Sequence, residues 1–167
     1  MPFLVPFYDI INQQSIDLQW TGDSLLFKLE AITRDGHESA DRFYATVAGF
    51  EYTMYQVFSG LGDLGLLVEH LYDDRDEVNA PPTIFDNDIF AGFRFAANDQ
   101  QSSAFLFGVV TDLEESEVFL FSEISSRIWD NFLLEFESRW FLSTEENSFA
   151  NAFERDGYFS ISLSYFL

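Results

Sequence analysis

Apolar and polar residues alternate with a period of two along most of this chain. The clearest case is Gly157–Leu167, which reads G-Y-F-S-I-S-L-S-Y-F-L. Its odd-numbered residues, from Phe159 onward, are all large and apolar or aromatic, and serines stand at three of the positions between them. Such alternation is typical of a strand with one apolar face. No stretch keeps a helical period, although Gln56–Gly62 has room for one helical turn, and the pattern therefore predicts an all-β fold.

Turn-forming residues separate nine such segments, most of them roughly 9–12 residues long, which is the length of a tilted membrane-spanning strand. A tenth strand is predicted at Phe3–Ile11, where Pro2 and Pro6 restrict it to an edge or a strand start. The nine are Ser15–Trp20, Ser24–Thr33, Arg42–Met54, Asp63–Asp73, Asp88–Ala97, Ser103–Thr111, Glu117–Ile128, Phe132–Leu142 and Gly157–Leu167.

The predicted connections alternate between two kinds. Residues 21–23, 56–62, 98–101 and 129–131 give short or moderate turns, whereas residues 35–41, 74–87, 112–116 and 143–156 give acidic connections, two of them long. In an up-and-down barrel, the two kinds fall at opposite ends. Outer-membrane barrels sort their connections in this way, with short periplasmic turns and longer outer loops.

Charge is sorted between the two faces of the strands. Large apolar residues share one face, and mid-strand charges lie on the other, together with Ala45, Gly49, Gly92, Phe119, Phe121 and Phe141. In a soluble barrel the apolar face points inward, and in a membrane barrel it points to lipid. The bulk of the Phe-, Leu- and Trp-rich face and the aromatic residues near strand ends favour the membrane arrangement. We expect an antiparallel up-and-down transmembrane β-barrel of eight to ten strands, preferably ten, as a single domain over residues 1–167. The alternative is a soluble lipocalin-like β-barrel that binds an apolar ligand.

Composition narrows the class of protein. The 167 residues are 47% hydrophobic, which is too apolar for a disordered chain despite a net charge of -21. Only 8 Lys and Arg stand against 29 Asp and Glu, which argues against nucleic acid as a partner. There is no cysteine, so disulfides and thiolate chemistry are excluded. No apolar run is long enough for a transmembrane helix.

The candidate site is a network of mid-strand charges on the face opposite the large apolar residues. It supports two interpretations: salt bridges that fix the strand register, or a charged constriction that selects solutes. Within it, Arg127 is expected near Glu135 and Glu123 near Arg139. The network comprises Lys28, Glu30, Glu51, Glu69, Arg94, Glu123, Arg127, Glu135, Glu137 and Arg139.

No residue pattern points to catalysis, a metal or a cofactor. His37 and His70 are too few and too scattered for a metal triad. The acidic run Asp73–Glu77 has oxygen ligands but lacks the spacing of a calcium loop. We therefore expect a protein that is not an enzyme, with no catalytic residue, no metal and no cofactor.

The terminal strand resembles the signal that the barrel-assembly machinery recognises in bacterial outer-membrane β-barrels. Leu167 departs from the usual terminal Phe, and Phe166 precedes it. The stretches Gly49–Thr53, Asp63–Asp73 and Asn87–Ala96 are similar to uncharacterised outer-membrane proteins of gammaproteobacteria. Those proteins are longer, which favours a fragment or half-barrel, so the single β-barrel domain is alternatively the C-terminal portion of a larger barrel. The signal residues are Phe159, Ile161, Leu163, Tyr165 and Leu167.

The resemblance implies a place in the outer membrane of a Gram-negative bacterium. Its expected partners are the lipid bilayer, the barrel-assembly machinery and further copies of the same chain. The expected role is structural or that of a passive, porin-like channel with a charged lumen and acidic loops. The alternatives differ in where Phe27, Phe93 and Ile161 point: outward in a membrane barrel, and inward in a lipocalin-like one.

Overall fold

Nine β-strands make up one antiparallel sheet in this computed structural model, which describes residues 8, 10–36, 41–76, 80, 83–143 and 150–166. Each strand pairs with the next one along the chain, so the predicted all-β, up-and-down topology is confirmed. The strands are β1 (Asn12–Thr21), β2 (Leu25–Asp35), β3 (Phe43–Gln56), β4 (Gly62–Asp73), β5 (Asn87–Ala97), β6 (Ala104–Asp112), β7 (Val118–Trp129), β8 (Phe132–Ser143) and β9 (Tyr158–Tyr165).

Two short helical turns lie in the connections between strands. The segment α1 (Val57–Gly60) occupies the position where one helical turn was predicted, but Phe58 and Ser59 have left-handed backbone angles, with φ of 53° and 63°. It is therefore a tight left-handed connection between β3 and β4. A 3₁₀ turn, η1 (Ala150–Phe153), precedes β9. Within the described ranges, no helix has the length and apolarity needed to cross a membrane.

The sheet is open in the described part of the chain. β1 and β9 are its two edges, and the strand order does not join them. In a nine-stranded meander the first and last strands run in the same direction, so they cannot complete an antiparallel ring by pairing with each other. Most of the predicted tenth strand, Phe3–Ile11, lies outside the described residues; Tyr8, Ile10 and Ile11 belong to no strand.

The pairing register divides the strand residues between two faces. The apolar face carries large hydrophobic residues and no Glu, Lys or Arg, and its one Asp, Asp35, is the last residue of β2. The opposite face, here the charged face, carries the other charges of the strands. Exposed large members of the apolar face are Ile16, Leu18, Trp20, Leu25, Phe27, Tyr44, Phe50, Tyr52, Leu66, Val68, Tyr72, Ile124, Ile128, Leu134, Trp140, Leu142, Phe159, Ile161, Leu163 and Tyr165.

The two faces differ in burial. Within the central strands β5 and β6, Phe90 and Val110 on the charged face are 8% and 7% exposed, whereas Phe93 and Phe107 on the apolar face are half-buried. A flat single-layered sheet would expose both faces equally. Side chains from β5 to β9 also line one groove on the charged face, which indicates that the sheet curves with this face on its concave side, as twisted and coiled sheets do.

Candidate functional site

The ten residues predicted as a charge network all lie on the charged face. Cross-strand pairing connects Lys28 to Gly49 and Gly49 to Glu69, and the same parity continues through Arg94 to Glu123. The strands therefore bring these charges to one surface, although they are separated by more than a hundred positions in sequence. Their contacts fall into separate clusters and not into one continuous network.

A groove of about 430 Å³ crosses the charged face from β5 to β9. Three carboxylates, Glu123, Glu135 and Glu137, line it together with Arg94 and hydroxyls of β9 such as Ser160. Residues four strands apart share this groove because the sheet is curved. Its chemistry suits water, cations and polar solutes, since acids outnumber bases along its wall.

One ion pair bridges β3 and β5 over the intervening strand. Arg94 Nη2 donates to Glu51 Oε1 at 2.5 Å, and the Glu51 side chain is only 14% exposed. Gly65 of β4 lies directly between them, and a Cβ added there would be 2.5 Å from Glu51 Oε1. The absence of a side chain at Gly65 gives this ion pair its space.

A second cluster joins β7, β8 and β9. Arg139 Nε donates to Glu137 Oε1 at 2.6 Å, and the Tyr158 hydroxyl donates to the same oxygen at 2.6 Å. Arg139 also lies 4.0 Å from Glu123, the diagonal neighbour expected from the sequence. This arrangement offsets the repulsion between Glu123 and Glu137, which face each other directly across β7 and β8.

The other members of the predicted network have no such partner. Arg127 is diagonal to Glu135 in the register, since it pairs with Leu133, but no ion pair joins them. Among the described residues, Lys28, Glu30 and Glu69 also lack an ion pair within 4.0 Å.

One end of the sheet, here the long-loop end, is where residues 36–42, 74–86, 113–117 and 144–157 connect the strands. Phenylalanine rings fill the charged face between the groove and this end. Phe121 stacks on Phe90 with ring centroids 5.7 Å apart, and Phe119 lies 4.9 Å from Phe141. Both Phe90 and Phe121 extend over Gly108, where any Cβ would meet their rings. The glycine gives the rings room to lie against the sheet.

Three aspartates that the sequence did not single out converge at the long-loop end. One carboxylate oxygen each from Asp86, Asp88 and Asp112 lies within 4.8 Å of the other two. Partial burial raises the pKa of Asp86 above its ordinary value, and a hydrogen bond with the Asp112 side chain raises it further. The cluster could be recognised only once the pairing between strands was known, because Asp88 and Asp112 pair across β5 and β6.

The residues weighed for metal binding in the sequence do not form that cluster. His70 lies on the apolar face, and its Nε2 is 3.1 Å from Asn87 Oδ1. In the acidic run 73–77, Arg75 Nε donates to Asp73 Oδ1 at 2.8 Å, so an arginine is the partner of that carboxylate. This hydrogen bond raises the pKa of Arg75 above its ordinary value. His37 and Glu77 lie outside the described residues.

The predicted assembly signal lies on the apolar face of the edge strand β9. Phe159, Ile161, Leu163 and Tyr165 are between 57% and 67% exposed. Leu167 lies outside the described residues. The residue after β9 contacts the β7–β8 turn, where Phe166 N donates to Asn131 O at 2.9 Å.

Comparison with known proteins adds no relationship to these observations. No protein-family model matches the chain, and no match was found among curated proteins or among solved structures.

Proposed function

We propose that this chain forms the wall, or part of the wall, of an outer-membrane β-barrel in a Gram-negative bacterium. The apolar face contacts lipid, and the charged face lines the interior. The observation that carries the proposal is the apolar face: it extends across all nine strands, holds no Glu, Lys or Arg, and has exposed large side chains on every strand except β5 and β6, where they are half-buried. Large exposed apolar patches mark membrane or protein contacts, because water disfavours them.

The dimensions of the apolar face support lipid as its neighbour. On β3, the exposed Tyr44 and Tyr52 stand near opposite ends of the strand. From Tyr44 to Tyr52 the strand spans about 26 Å along its own axis, and these nine residues match the ~9–11 residues that a tilted transmembrane strand needs. Trp140 and Tyr72 stand near the Tyr44 end of the sheet, and Trp20 and Trp129 near the other end. Two aromatic belts at such a distance are typical of barrels in a bilayer.

The position of the charged residues argues against the lipocalin-like alternative. That alternative needs the apolar face on the concave side, around a ligand. Here the groove on the concave side is lined by Glu123, Glu135 and Glu137. The curvature of the sheet therefore supports the membrane proposal over an apolar-ligand carrier.

The phenylalanine cluster favours a structural role over an open pore. Rings of Phe90, Phe119, Phe121 and Phe141 occupy the charged face, and Phe153 of η1 stacks on Phe141 at 5.9 Å. Side chains nearly fill the interior of small barrels. We therefore infer a plugged wall, with the assembly machinery as its folding partner. Pairing of both open edges is required, because unpaired backbone groups in lipid cost several kcal/mol each. Further strands, or a second copy of the chain, would provide this pairing.

Detergent dependence of folding tests the proposal directly. The full chain is refolded in plain buffer and in detergent micelles, and each sample is examined by circular dichroism and by gel mobility with and without heating. We expect β-structure and a heat-modifiable band only in micelles. A cooperative, monodisperse β-fold in plain buffer would overturn the proposal.

Conductance in a planar bilayer then separates a plugged wall from a channel. The refolded chain is expected to give no steady conductance. Steady single-channel steps from the unmodified chain would replace the structural role with that of a passive pore, while the position in the membrane would remain as proposed.

A further inference from the structure

Asp86, Asp88 and Asp112 come from three segments that meet at the long-loop end. Asp86 lies in the connection between β4 and β5, Asp88 is the second residue of β5, and Asp112 ends β6. Asp88 and Asp112 are directly paired across the two strands and project from the charged face. One carboxylate oxygen of each residue is within 4.8 Å of the other two, so the three side chains point into a common space.

Asp88 is the member that points to a ligand. Its side chain is among the most buried polar groups of the described chain, at 4% exposure, and its Oδ2 atom is buried with no hydrogen-bond partner. The charges that act on Asp88 come from Asp112, Asp86 and Glu117, all of them carboxylates. A buried carboxylate oxygen that lacks a donor and faces like charges is costly unless a proton or a cation neutralises it, and three carboxylates around one space favour a cation.

Hydrogen bonds already orient the other two carboxylates. Asp112 Oδ1 accepts the backbone N–H of Glu114 at 2.6 Å and that of Glu115, and Asp86 Oδ1 accepts the N–H of Asn87 at 2.9 Å. Part of the entropy cost of assembling a ligand set is thereby met before an ion arrives.

We propose that Asp86, Asp88 and Asp112 form a Ca²⁺ site at the long-loop end of the sheet. Atoms within 4.8 Å of one another share a point no more than about 2.8 Å from each, close to the 2.3–2.6 Å of Ca²⁺–oxygen bonds. Mg²⁺ demands about 2.0–2.1 Å in near-ideal octahedral geometry and usually keeps several waters with only one or two carboxylates, so a set of three protein carboxylates favours Ca²⁺. Water molecules complete the coordination. The ion ties the β4–β5 connection to the ends of β5 and β6.

Calorimetric titration of CaCl₂ into the full chain tests this site. The titration uses the medium in which the chain folds, buffer or micelles, so its result does not depend on where the apolar face lies. We expect one Ca²⁺ per chain with a Kd between about 0.1 and 1 mM, as in extracellular calcium modules. MgCl₂ is titrated in parallel and is expected to bind at least about tenfold more weakly.

Three variants, each with one negative charge fewer, locate the ion. Asp88→Asn and Asp86→Asn are expected to weaken Ca²⁺ binding at least about tenfold, because each removes a carboxylate ligand. Asp130→Asn, in the β7–β8 turn at the opposite end of the sheet, is the matched control and is expected to bind as the unmodified chain does. If Asp88→Asn fails to fold, Asp86→Asn, a half-buried loop position, provides the test.

Several results would overturn the proposal. These are no saturable binding by the unmodified chain up to about 10 mM CaCl₂, well above the weakest expected Kd; unchanged affinity in the Asp86 and Asp88 variants; or equal weakening by Asp130→Asn. Equal affinity for Mg²⁺ and Ca²⁺ would overturn the assignment of the ion.

Discussion

The two faces of this sheet share one backbone and differ in the relation between polarity and burial. The apolar face holds exposed residues such as Phe27 and Ile161, whereas the charged face holds carboxylates and yet buries Phe90 and Asp88. In a water-soluble sheet the polar face is usually the exposed one. Here curvature sets burial, and the apolar side chains are left to contact something other than this chain. Three comparisons, each between one site and a matched second site, test this interpretation.

Arginine substitutions at two adjacent residues of β9, one on each face, are expected to give the largest difference in unfolding free energy. Ile161, which pairs with Phe136 near the middle of β8, faces outward, and Ser162 faces the groove opposite Glu135. If the apolar face contacts lipid as proposed, Ile161→Arg places a charge in the lipid interior and is expected to cost about 2–4 kcal/mol of unfolding free energy. Ser162→Arg, beside Glu135, is expected to change it by less than about 1 kcal/mol. Urea titration of the chain refolded in phospholipid vesicles measures both.

The two residues serve as controls for each other because both are exposed positions of the same edge strand. Equal effects of the two substitutions would contradict a lipid-facing apolar face. They would instead place both faces of β9 in water.

Two glycines on the charged face give the next largest difference. Gly108→Ala places a Cβ 2.6 Å from Phe121 Cε1 and against the ring of Phe90, so tightly packed rings must move. We expect a loss of about 1–3 kcal/mol, as for overpacked cores. Gly65→Ala meets only the far end of the Glu51 side chain, which can shift by rotation, and is expected to cost less than about 1 kcal/mol. Thermal or urea unfolding compares them, and a larger loss at Gly65 would contradict the packing of the phenylalanine cluster.

Ion pairs on the charged face give the smallest effect. A double-mutant cycle with Arg94→Met and Glu51→Gln is expected to yield a coupling energy of about 1 kcal/mol, because Glu51 is largely buried at 14% side-chain exposure. The comparison cycle uses Arg139→Met and Glu123→Gln. These side chains are 47% and 50% exposed and 4.0 Å apart, and less than about 0.5 kcal/mol is expected. A larger coupling at the exposed pair would show that the groove excludes water more strongly than its exposure indicates.

Much of the fold follows from alternation in the sequence. The nine predicted strands match the observed ones closely, with β1 beginning at Asn12 and not at Ser15 and with β3 extending to Gln56. Period-two alternation was clear because one face excludes charge, and any one-residue shift of register would place acids among the large apolar residues. The diagonal proximity of Glu123 and Arg139 followed from the short β7–β8 turn for the same reason.

Other features needed the three-dimensional register. Asp88 and Asp112 are 24 positions apart, and in the sequence they look like other acids at strand ends. The register between β5 and β6 and the path of the β4–β5 connection decide that they meet Asp86. The left-handed turn at Phe58 and Ser59 was also missed, because neither residue has a strong preference for positive φ and the short connection imposes it.

The edge strands β1 and β9 run in the same direction, and this restricts how copies of the chain could assemble. In a bilayer, all copies of an inserted protein present their long loops to the same side. Placing the β9 edge of one copy beside the β1 edge of the next would then create a parallel seam in an otherwise antiparallel wall. An antiparallel seam between equally oriented copies needs one more strand at an edge, from another part of the chain or from another protein. Because the number of described strands is odd, copies with the same orientation cannot form an entirely antiparallel wall without an additional strand.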